Sequence, residues 1–498
     1  MVKKVIVLGS GSAGLIAALG VKRRNPQLEV TVVSSSLIGT IGVGEGTVPY
    51  VLDFIHNYLK LDEASTYRAL DPVYKLGVEL QWGSHDRYYY PFTEDFLVRS
   101  LPHLSRGSGY YHQAEDNGSD LLVACMREKR IPSRGSQLPN IPPPGQLFAW
   151  HIENHRLIET LVAAGKESGI IFQEDQLEAA VCDEDGNLSS IIGVSGQSYS
   201  ADLFIDASGF RAELIGKHAE VPFVSFSESL FCDRAVVGGW DREDGEEILN
   251  YTVSETMESG WAWRIDHPER INRGYVFSSS HIDTESAVEE FKAKNPKINE
   301  AREVFFQSGH REKAWAKNVI AIGNASGFVE PLEATAIMCA CLQTRWLADG
   351  LYDSQCSPND SLRTLYNKVT TDLWQEIRDF LALHYKYNHR INTPFWQDCQ
   401  NKIPATNWEE LLKFYQENGS SKIAAATLPP LSQFGISGYF AHLTGLSIPT
   451  KGYQAPRHEK RIYKEHCQRL DKMAAQGMTM AEVRSLLMKP ETWKKLRR

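Results

Sequence analysis

Three glycines near the start of the chain have the types and spacing that a nucleotide phosphate requires. Gly9, Gly11 and Gly14 follow an apolar run and precede a stretch compatible with a helix. The first glycine would permit a tight turn, the second would let the backbone approach a pyrophosphate, and the third would let the helix pack on the strand. The amides of Ser12 and Ala13 would then face the phosphates. The pattern predicts dinucleotide binding, and the alternative is a purely structural turn.

A second residue that could do chemistry is Lys75, at the start of the strand-like run 75–82. A lysine on an apolar strand must bury its stem, and burial of the ammonium would lower its pKa. A neutral amine can then react with an electrophile, whereas an ammonium can donate hydrogen bonds. Taken alone, the residues favour the alternative, a lysine whose ammonium reaches the surface.

The elements around the glycines predict a βαβ unit over residues 3–34. Where NAD-binding proteins usually carry an acidic ribose ligand, this chain has Ser34 and Ser35. Two later segments repeat the pattern of a strand followed by a glycine turn, at Asp206 and at Gly323-Asn324. FAD fits these three separated pieces better than NAD, because it spans such a fold.

Hydrophobic patterns predict the helices and strands of the rest of the chain. They predict a helix over 148–167, a β-meander over 169–206, strands over 230–280 and helices after about residue 350. Pro331 is expected near the start of a long apolar helix, since proline is favoured at the first helical position. The segment 83–147 is rich in aromatic residues, glycine and serine, which predicts an insertion with much loop. Such an insertion could line a pocket or simply pack.

The sequence gives little reason to expect a metal. His151 and His155 would share a face of the predicted helix, but no third ligand lies nearby in the sequence, so we predict no metal site. The eight cysteines form no CxxC pair, which argues against a zinc site or a redox dithiol. Reduced cytosolic thiols are the expected state.

Composition excludes several classes of protein. A net charge of −9 over 498 residues argues against general nucleic-acid binding. No apolar run reaches about 18 residues, so we expect no membrane span. A strand that starts within three residues of the N-terminus leaves no room for a signal peptide and predicts a cytoplasmic protein. The last 48 residues carry 13 Lys/Arg and 5 Asp/Glu, which we interpret as a solvated helical cap.

The predicted fold class is mixed α/β (α+β). It combines a Rossmann-type, two-dinucleotide FAD-binding domain with an interleaved substrate module and a helical C-terminal region. The FAD-binding module is expected to be discontinuous, over residues 1–82, 148–230 and 300–350. The substrate-binding module would take residues 83–147, 231–299 and 351–498.

Several motifs occur in a fixed order between residue 4 and about residue 400. They are GSGSAG at 9–14, IGVGEGTVP at 41–49, YKLG at 74–77, DASGFR at 206–211, FCDRA at 231–235, GWAWRI at 260–265, GFVEPLEAT at 327–335, DF at 379–380 and TPFW at 393–396. With these motifs the chain resembles the flavin-dependent halogenases of the tryptophan halogenase family. That family is a branch of the FAD aromatic monooxygenase superfamily.

The resemblance implies a reaction and its residues. Reduced FAD reacts with O2 to a C4a-hydroperoxide, halide attacks its terminal oxygen, and hypohalous acid travels through a tunnel to a lysine beside the aromatic substrate. That lysine corresponds to Lys75. Glu333 takes the position of the active-site glutamate, and Thr335 and Ala336 match the halide-binding backbone. The residues that match the flavin site are Gly9, Gly11, Ser12, Ala13, Gly14, Ser34, Ser35, Glu45, Gly46, Leu177, Asp206, Gly323, Asn324 and Ile337.

Two departures from the family pattern bear on specificity. The WxWxIP motif, thought to keep free substrate from the flavin, retains Trp261 and Trp263 but has Asp266 in place of proline. The usual EPLESTG ends here with Ala334-Thr335-Ala336, which removes a hydroxyl near Glu333 and adds a methyl at the halide end. A less polar site would suit bromide or iodide over chloride, because these anions are cheaper to desolvate.

The leading hypothesis is a halogenase that acts on a free electron-rich aromatic, an indole or a phenol. Because the chain has no second nicotinamide-binding glycine motif, FADH2 would come from a separate NADH-dependent flavin reductase. An FAD-dependent aromatic hydroxylase, which would not need Lys75, is the first alternative. A flavin-binding protein without turnover is the second. The protein could act as a monomer or as a homo-oligomer.

Overall fold

The computed structural model describes residues 1–39, 45–93, 120–134, 138–142, 144–405 and 408–496. Its strands are β1 (Lys4–Leu8), β2 (Glu29–Ser34), β3 (Glu45–Gly46), β4 (Val73–Lys75), β5 (Gly77–Gln81), β6 (Tyr88–Pro91), β7 (Ser133–Arg134), β8 (Leu138–Pro139), β9 (Ala149–Ile152), β10 (Ile171–Glu174), β11 (Leu177–Cys182), β12 (Leu188–Gly193), β13 (Ser198–Ser200), β14 (Leu203–Asp206), β15 (Phe223–Ser225), β16 (Arg234–Asp241), β17 (Thr252–Met257), β18 (Gly260–Asp266), β19 (Arg270–Phe277), β20 (Arg302–Phe305), β21 (Gly309–Arg311), β22 (Trp315–Ala316), β23 (Val319–Ala321) and β24 (Gly327–Phe328).

The α-helices follow the same order. They are α1 (Ser12–Arg24), α2 (Pro49–Asp53), α3 (Glu63–Leu70), α4 (Leu121–Glu128), α5 (Asn154–Glu167), α6 (Thr284–Lys294), α7 (Ala336–Asp353), α8 (Asp360–Lys386), α9 (Pro394–Lys402), α10 (Glu409–Asn418), α11 (Gly435–Gly445), α12 (Arg457–Ala475), α13 (Met480–Leu487) and α14 (Pro490–Leu496). No helix of the described ranges combines the length and the apolar character that crossing a membrane requires.

A six-stranded sheet in the order β10-β2-β1-β14-β23-β22 carries the predicted βαβ unit. The strands from β10 to β23 are parallel, and β22 pairs antiparallel at one edge. The last four residues of β1 are buried, as expected for a parallel strand covered on both faces. Helix α1 packs on β1, β2 and β14 of this sheet and also contacts α7 and α5. The mixed α/β fold with a Rossmann-type sheet is therefore confirmed.

A second, seven-stranded sheet in the order β20-β16-β19-β18-β17-β5-β6 forms a separate layer. It takes its strands from segments far apart in the sequence. A third sheet, β3-β9-β4, joins the two regions and pairs Lys75 with Ala149 and Glu45 with Ile152. The domain boundaries stay a prediction, although β5 lies in the second sheet with segments that we assigned to the substrate module.

Three local predictions were wrong. The helix expected over 148–167 begins only at Asn154, because the apolar residues of β9 are buried between β3 and β4. The strand expected over 75–82 is interrupted after Lys75, so that β4 and β5 belong to different sheets. The helix expected to start near Pro331 begins at Ala336, after a 3-10 turn over Pro331–Glu333.

The C-terminal basic segment is only partly a solvated cap. On α12, Arg461 and Lys464 are exposed, as expected. On α13, Arg484 forms a double ion pair with Asp71, with N–O distances of 2.7 and 2.6 Å. On α14, the buried Trp493 packs against Tyr67 with ring centroids 5.7 Å apart. The last two helices are therefore part of the packed structure.

Candidate active site

A cavity of about 460 Å³ lies where the parallel strands β1, β2, β14 and β23 end. Its wall takes in the residues that directly follow these strands, including Gly9, Ser35, Ala207 and Gly323. This is the edge at which open parallel sheets bind their ligands. The fold therefore creates a binding site from four separate loops.

Most of the residues predicted to bind the cofactor line this cavity. Those that do are Gly9, Gly11, Ser12, Ala13, Ser34, Ser35, Glu45, Leu177, Gly323, Asn324 and Ile337. Three others lie elsewhere. Gly14 packs against the carbonyl of Gly9, where a Cβ would come within 2.0 Å of the oxygen. Gly46 faces Lys75. The Asp206 carboxylate is buried and accepts hydrogen bonds from the amides of Ser208, Leu214 and Ile215. It thus orders the backbone beside the cavity.

The cradle fits a dinucleotide such as FAD. Gly9 adopts φ +110° and its Cβ would collide with the carbonyl of Ala207, so the protein itself demands that glycine. Gly11 has φ −69°, which any residue adopts, and a Cβ there would meet no described atom within 4 Å. Folding therefore does not explain Gly11. A pyrophosphate that lay against the backbone here would explain it.

A second cavity, of about 500 Å³, lies on the other side of the first turn of α7. Ala336, Ile337 and Ala340 face the first cavity, whereas Glu333, Thr335 and Met338 face the second. The aromatic side chains of Tyr50, Tyr90, Phe92 and Phe434 also line the second cavity, together with Leu147 and Ile436. Its apolar, aromatic wall suits a planar aromatic ligand. Within the predicted insertion over 83–147, residues 94–119, 135–137 and 143 lie outside the described residues.

Lys75 is buried beside this second cavity. Only 1% of its surface is exposed, and its Nζ donates a hydrogen bond to the carbonyl of Thr47 at 3.1 Å. The Nζ also lies 5.1 Å from the centre of the Phe92 ring, over its face. Burial lowers the pKa of Lys75 to about 8, and the negative charge of Glu333 opposes this shift. The alternative of a lysine reaching the surface is excluded.

Glu333 is placed by an unusual turn rather than by a helix. It ends the 3-10 turn, and Ala334 then adopts the left-handed φ of 55°. The Oε1 atom of Glu333 lies 3.1 Å from Nε2 of His384 and 3.7 Å from Nε2 of His442. All three side chains are buried. The carboxylate is therefore held between two imidazoles on one side and the second cavity on the other.

The predicted halide residues lie at the start of α7, between the two cavities. Thr335 is the N-cap residue, but its side chain makes no capping hydrogen bond within the described residues. The first amides of this 18-residue helix are thus available to an anion. Thr335 lines the second cavity and Ala336 the first, so an anion there would be close to both.

The tryptophan motif is built into the second sheet. Trp261 and Trp263 lie on β18 and are buried. Trp261 Nε1 donates a hydrogen bond to Oε1 of Glu330 at 3.1 Å, and the hydroxyl of Tyr385 donates to the same oxygen. Burial raises the pKa of Glu330 to about 7. Neither tryptophan is part of the wall of the two cavities, so their predicted role in a tunnel stays a prediction.

Asp266, which replaces the family proline, has a structural function here. Its buried carboxylate pairs with Arg242 at 2.9 Å and with Arg264 at 2.7 Å. It also accepts a hydrogen bond from the amide of Leu249. Asp266 therefore fixes the end of β18 through two ion pairs, at a position where a proline would have ended the strand.

Sequence reasoning missed His384, His442, Glu330 and Tyr385. Glu330 lies in the GFVEPLEAT motif, but its pairing with Trp261 and Tyr385 is not visible in the sequence. His384, His442 and Tyr385 stand on helices, their partners are distant in the chain, and no local motif marks them. Within the described ranges, Glu333, His384 and His442 are the set of three side chains that could hold a metal ion, with ligand atoms within 4.8 Å of one another. His151 and His155 do not share a face, since His151 is buried on β9 and His155 is exposed on α5.

The site combines a parallel-sheet dinucleotide cradle with a buried lysine and glutamate, as expected for a flavin-dependent halogenase. The chain belongs to the tryptophan halogenase family, whose model matches residues 4–456. It is 29% identical over 448 residues to tryptophan 7-halogenase RebH of Lentzea aerocolonigenes, covering 83% of this chain and 82% of that one. It is 30% identical over 434 residues to tryptophan 6-halogenase SttH of Streptomyces toxytricini, covering 80% and 81%.

Solved structures show the same relationship. The crystal structure of MibH, described as a lanthipeptide tryptophan 5-halogenase, superposes with a TM-score of 0.89 at 29% identity. The match covers 99% of this chain and 95% of that one. Xcc4156, a flavin-dependent halogenase from Xanthomonas campestris, gives a TM-score of 0.85 at 26% identity over 97% of both chains. The fold of the whole family is thus retained.

Proposed function

We propose that this protein halogenates a free electron-rich aromatic compound, an indole or a phenol, with FADH2 and O2. The observation that supports the proposal best is the buried Lys75. Its amine is fixed by the Thr47 carbonyl, beside a cavity with an aromatic wall and within the electrostatic influence of Glu333. A lysine that only stabilised the fold would not be placed there at the cost of its desolvation.

The residues divide the chemistry as follows. Bound FADH2 would supply, with O2, the oxidising power that converts halide into hypohalous acid. With a pKa of about 8, Lys75 is mostly an ammonium at neutral pH and donates a hydrogen bond to the oxygen of that acid. The aromatic carbon takes the halogen, the hydroxide that is left takes a proton from the Lys75 ammonium and departs as water, and Glu333 accepts the proton displaced from the ring. Transfer of that proton back to Lys75 restores the starting state. Thr335 and Ala336 would hold the halide at the helix start.

The substrate and its reductant follow from the same features. Curated relatives are named as tryptophan halogenases, which supports an indole as the first compound to test. We propose a separate NADH-dependent flavin reductase as the source of FADH2, because the sequence has one nicotinamide- or flavin-type glycine motif rather than two. A cytoplasmic location agrees with such a partner.

The halide is expected to be bromide or iodide in preference to chloride. Ala334 and Ala336 replace the family's serine and glycine, so the halide end of the site has one hydroxyl fewer and one methyl more. Bromide and iodide lose less hydration energy on entering such a site. Equal concentrations of chloride and bromide in one reaction would test this preference, and dominant chlorination would contradict it.

The deciding experiment supplies the protein with FAD, a flavin reductase, NADH, O2 and halide, together with a panel of indoles and phenols. Products are identified by mass and isotope pattern. We expect halogenated product from the native protein, and a loss of at least about 10²-fold with Lys75→Ala. The matched control is Lys217→Ala, which removes an exposed lysine that pairs with Glu213.

Two results would overturn the proposal. Hydroxylated product that forms without halide and persists in Lys75→Ala would identify a hydroxylase. Tight FAD binding without any product from the whole panel would identify a flavin-binding protein that lacks turnover.

A further inference from the structure

Glu333 and two histidines form a buried cluster of three potential metal ligands. Glu333 comes from the turn before α7, His384 from α8 and His442 from α11. The Glu333 Oε1 atom lies 3.1 Å from His384 Nε2 and 3.7 Å from His442 Nε2. The two imidazole rings also lie close together, with centroids 3.8 Å apart. The fold therefore brings two imidazole nitrogens and one carboxylate oxygen within 4.8 Å of one another in the protein interior.

Each imidazole is oriented by its other nitrogen. His384 Nδ1 lies 2.6 Å from the carbonyl of Phe380, which can only accept, so this nitrogen carries a proton. His442 Nδ1 lies 3.1 Å from the hydroxyl oxygen of Tyr88. The carbonyl contact fixes the tautomer of His384, and the hydroxyl contact orients the ring of His442. Outer contacts of this kind are characteristic of metal-binding histidines.

A metal cation between the inner atoms would satisfy all three of them at once. In neutral His384 the Nε2 lone pair faces a carboxylate oxygen, and two lone pairs at 3.1 Å repel each other. His442 Nε2 is buried and has no hydrogen-bond partner among the described residues. A proton on His384 satisfies one contact and leaves His442 unsatisfied.

The spacing suits a tetrahedral ion. Ligand atoms at about 2.0 Å from a tetrahedral Zn²⁺ lie about 3.3 Å from one another. The two distances in the structure, 3.1 and 3.7 Å, bracket this value. Two imidazoles and one carboxylate are ligands preferred by zinc, cobalt and related divalent ions, and they select against magnesium and calcium.

We propose that Glu333, His384 and His442 form a binding site for a divalent transition-metal ion, with zinc as the natural occupant. The fourth coordination position would face the second cavity. A bound ion occupies the carboxylate that must accept the proton of the ring, so zinc inhibits the enzyme reversibly. The inhibitory consequence rests on the proposed function, whereas the binding site does not.

Binding is tested on the full-length protein after treatment with a chelator. Cobalt(II) is the optical probe, because tetrahedral coordination gives visible d–d absorption, and zinc is then added to displace it. We expect one cobalt ion per chain, and full loss of the absorption with stoichiometric zinc. Replacement of one ligand in His442→Gln should weaken zinc binding at least about tenfold.

Two further variants keep this test decisive. His155→Gln removes an exposed histidine that pairs with Glu153, and it should leave metal binding unchanged. His442→Cys retains a ligating atom and should restore binding, which also covers the case in which His442→Gln fails to fold. The absence of a stoichiometric cobalt spectrum, or equal zinc affinity in native protein and His442→Gln, would overturn the proposal.

Inhibition is measured separately in the halogenation assay. If the metal-free enzyme forms halogenated product and zinc suppresses it in the native protein more strongly than in His442→Gln, the regulatory part is supported. If zinc binds but does not inhibit, that part is wrong. If no halogenation occurs under any condition, the proposed function fails, and the cobalt titration still decides whether the metal site exists.

Discussion

At the scale of single residues, the buried ammonium of Lys75 lowers the free energy of unfolding. Its ammonium is almost fully buried, with a carbonyl and a ring face as its near partners. Its pKa of about 8 lies below the usual value for lysine because burial disfavours the charge. The unfolded chain therefore binds the lysine proton more tightly than the folded protein does.

This difference predicts a pH-dependent gain in stability for Lys75→Met. Below pH 8 the native protein holds an ammonium in the interior, and the methionine variant avoids that cost, on the order of 3 kcal/mol. Between pH 8 and about 10.4 the native lysine becomes neutral in the folded state, so the gain shrinks as the pH rises. Thermal unfolding of the two FAD-free proteins at pH 7 and pH 9.5 measures it.

The control for this prediction is Lys217→Met, since Lys217 is exposed. Its unfolding temperature relative to the native protein should be nearly independent of pH. A constant difference for Lys75→Met between pH 7 and 9.5 would contradict a lowered pKa at Lys75.

At the scale of elements, the glycine turn between β1 and α1 contains one glycine that folding requires and another that folding does not explain. A Cβ on Gly14 would meet the Gly9 carbonyl oxygen at 2.0 Å, whereas a Cβ on Gly11 would project into the first cavity without touching a described atom. We therefore expect the two glycines of this motif to serve different purposes, Gly14 for packing and Gly11 for the cofactor.

The matched variants Gly11→Ala and Gly14→Ala test this division. Gly14→Ala should lower the free energy of unfolding of the FAD-free protein by about 1–3 kcal/mol through overpacking. Gly11→Ala should leave that stability within about 0.5 kcal/mol and weaken FAD binding about tenfold or more. Thermal unfolding and fluorescence titration with FAD separate the two effects. Equal FAD affinity in native protein and Gly11→Ala would show that the phosphates lie elsewhere.

The elements that sequence could predict are those whose signal is local. The β1-α1-β2 unit follows from the alternation of an apolar run, a glycine turn and a second apolar run, and it forms as expected. The helix predicted over 148–167 fails at its first residues, because burial of β9 between two other strands overrides the helical pattern. Such a cross-strand environment is not visible in one segment.

The site divides in the same way. Lys75 and Glu333 lie in motifs that the family resemblance identifies, and the fold places both beside one cavity. His384 and His442 lie in long helices without a motif, and only tertiary packing turns their Nε2 atoms towards Glu333. The left-handed Ala334 was equally unpredictable, since alanine carries no signal for a positive φ.

At the scale of the whole molecule, the C-terminal helices contact the segment that leads into the strand carrying Lys75. Arg484 pairs with Asp71, and Trp493 packs against Tyr67; both partners precede Lys75 by a few residues. The buried Trp493 also donates a hydrogen bond from Nε1 to the carbonyl of Leu487 at 2.7 Å. The end of the chain thus stabilises the segment that leads into β4.

Removal of this contact should weaken the whole protein. Trp493→Ala is expected to cost about 3–5 kcal/mol, because a large buried ring is lost. Met473→Ala, at a side chain that is 56% exposed, should change the stability by less than about 0.5 kcal/mol. Thermal unfolding compares the two, and equal unfolding temperatures would show that the C-terminal helices do not contribute.

The left-handed conformation of Ala334 has a consequence for the fraction of consumed FADH2 that yields halogenated product. The positive φ of Ala334 directs Glu333 towards the imidazoles and Thr335 towards the start of α7. In alanine this conformation costs about 1–2 kcal/mol. Ala334→Gly relieves that strain and frees the turn, so we expect fewer halogenated molecules for each FADH2 consumed. Ala212→Gly, at the other left-handed alanine of φ 43°, is the control with the same relief away from the second cavity. A product-to-FADH2 ratio that falls only in Ala334→Gly would show that backbone rigidity prevents the oxidant from leaking into water.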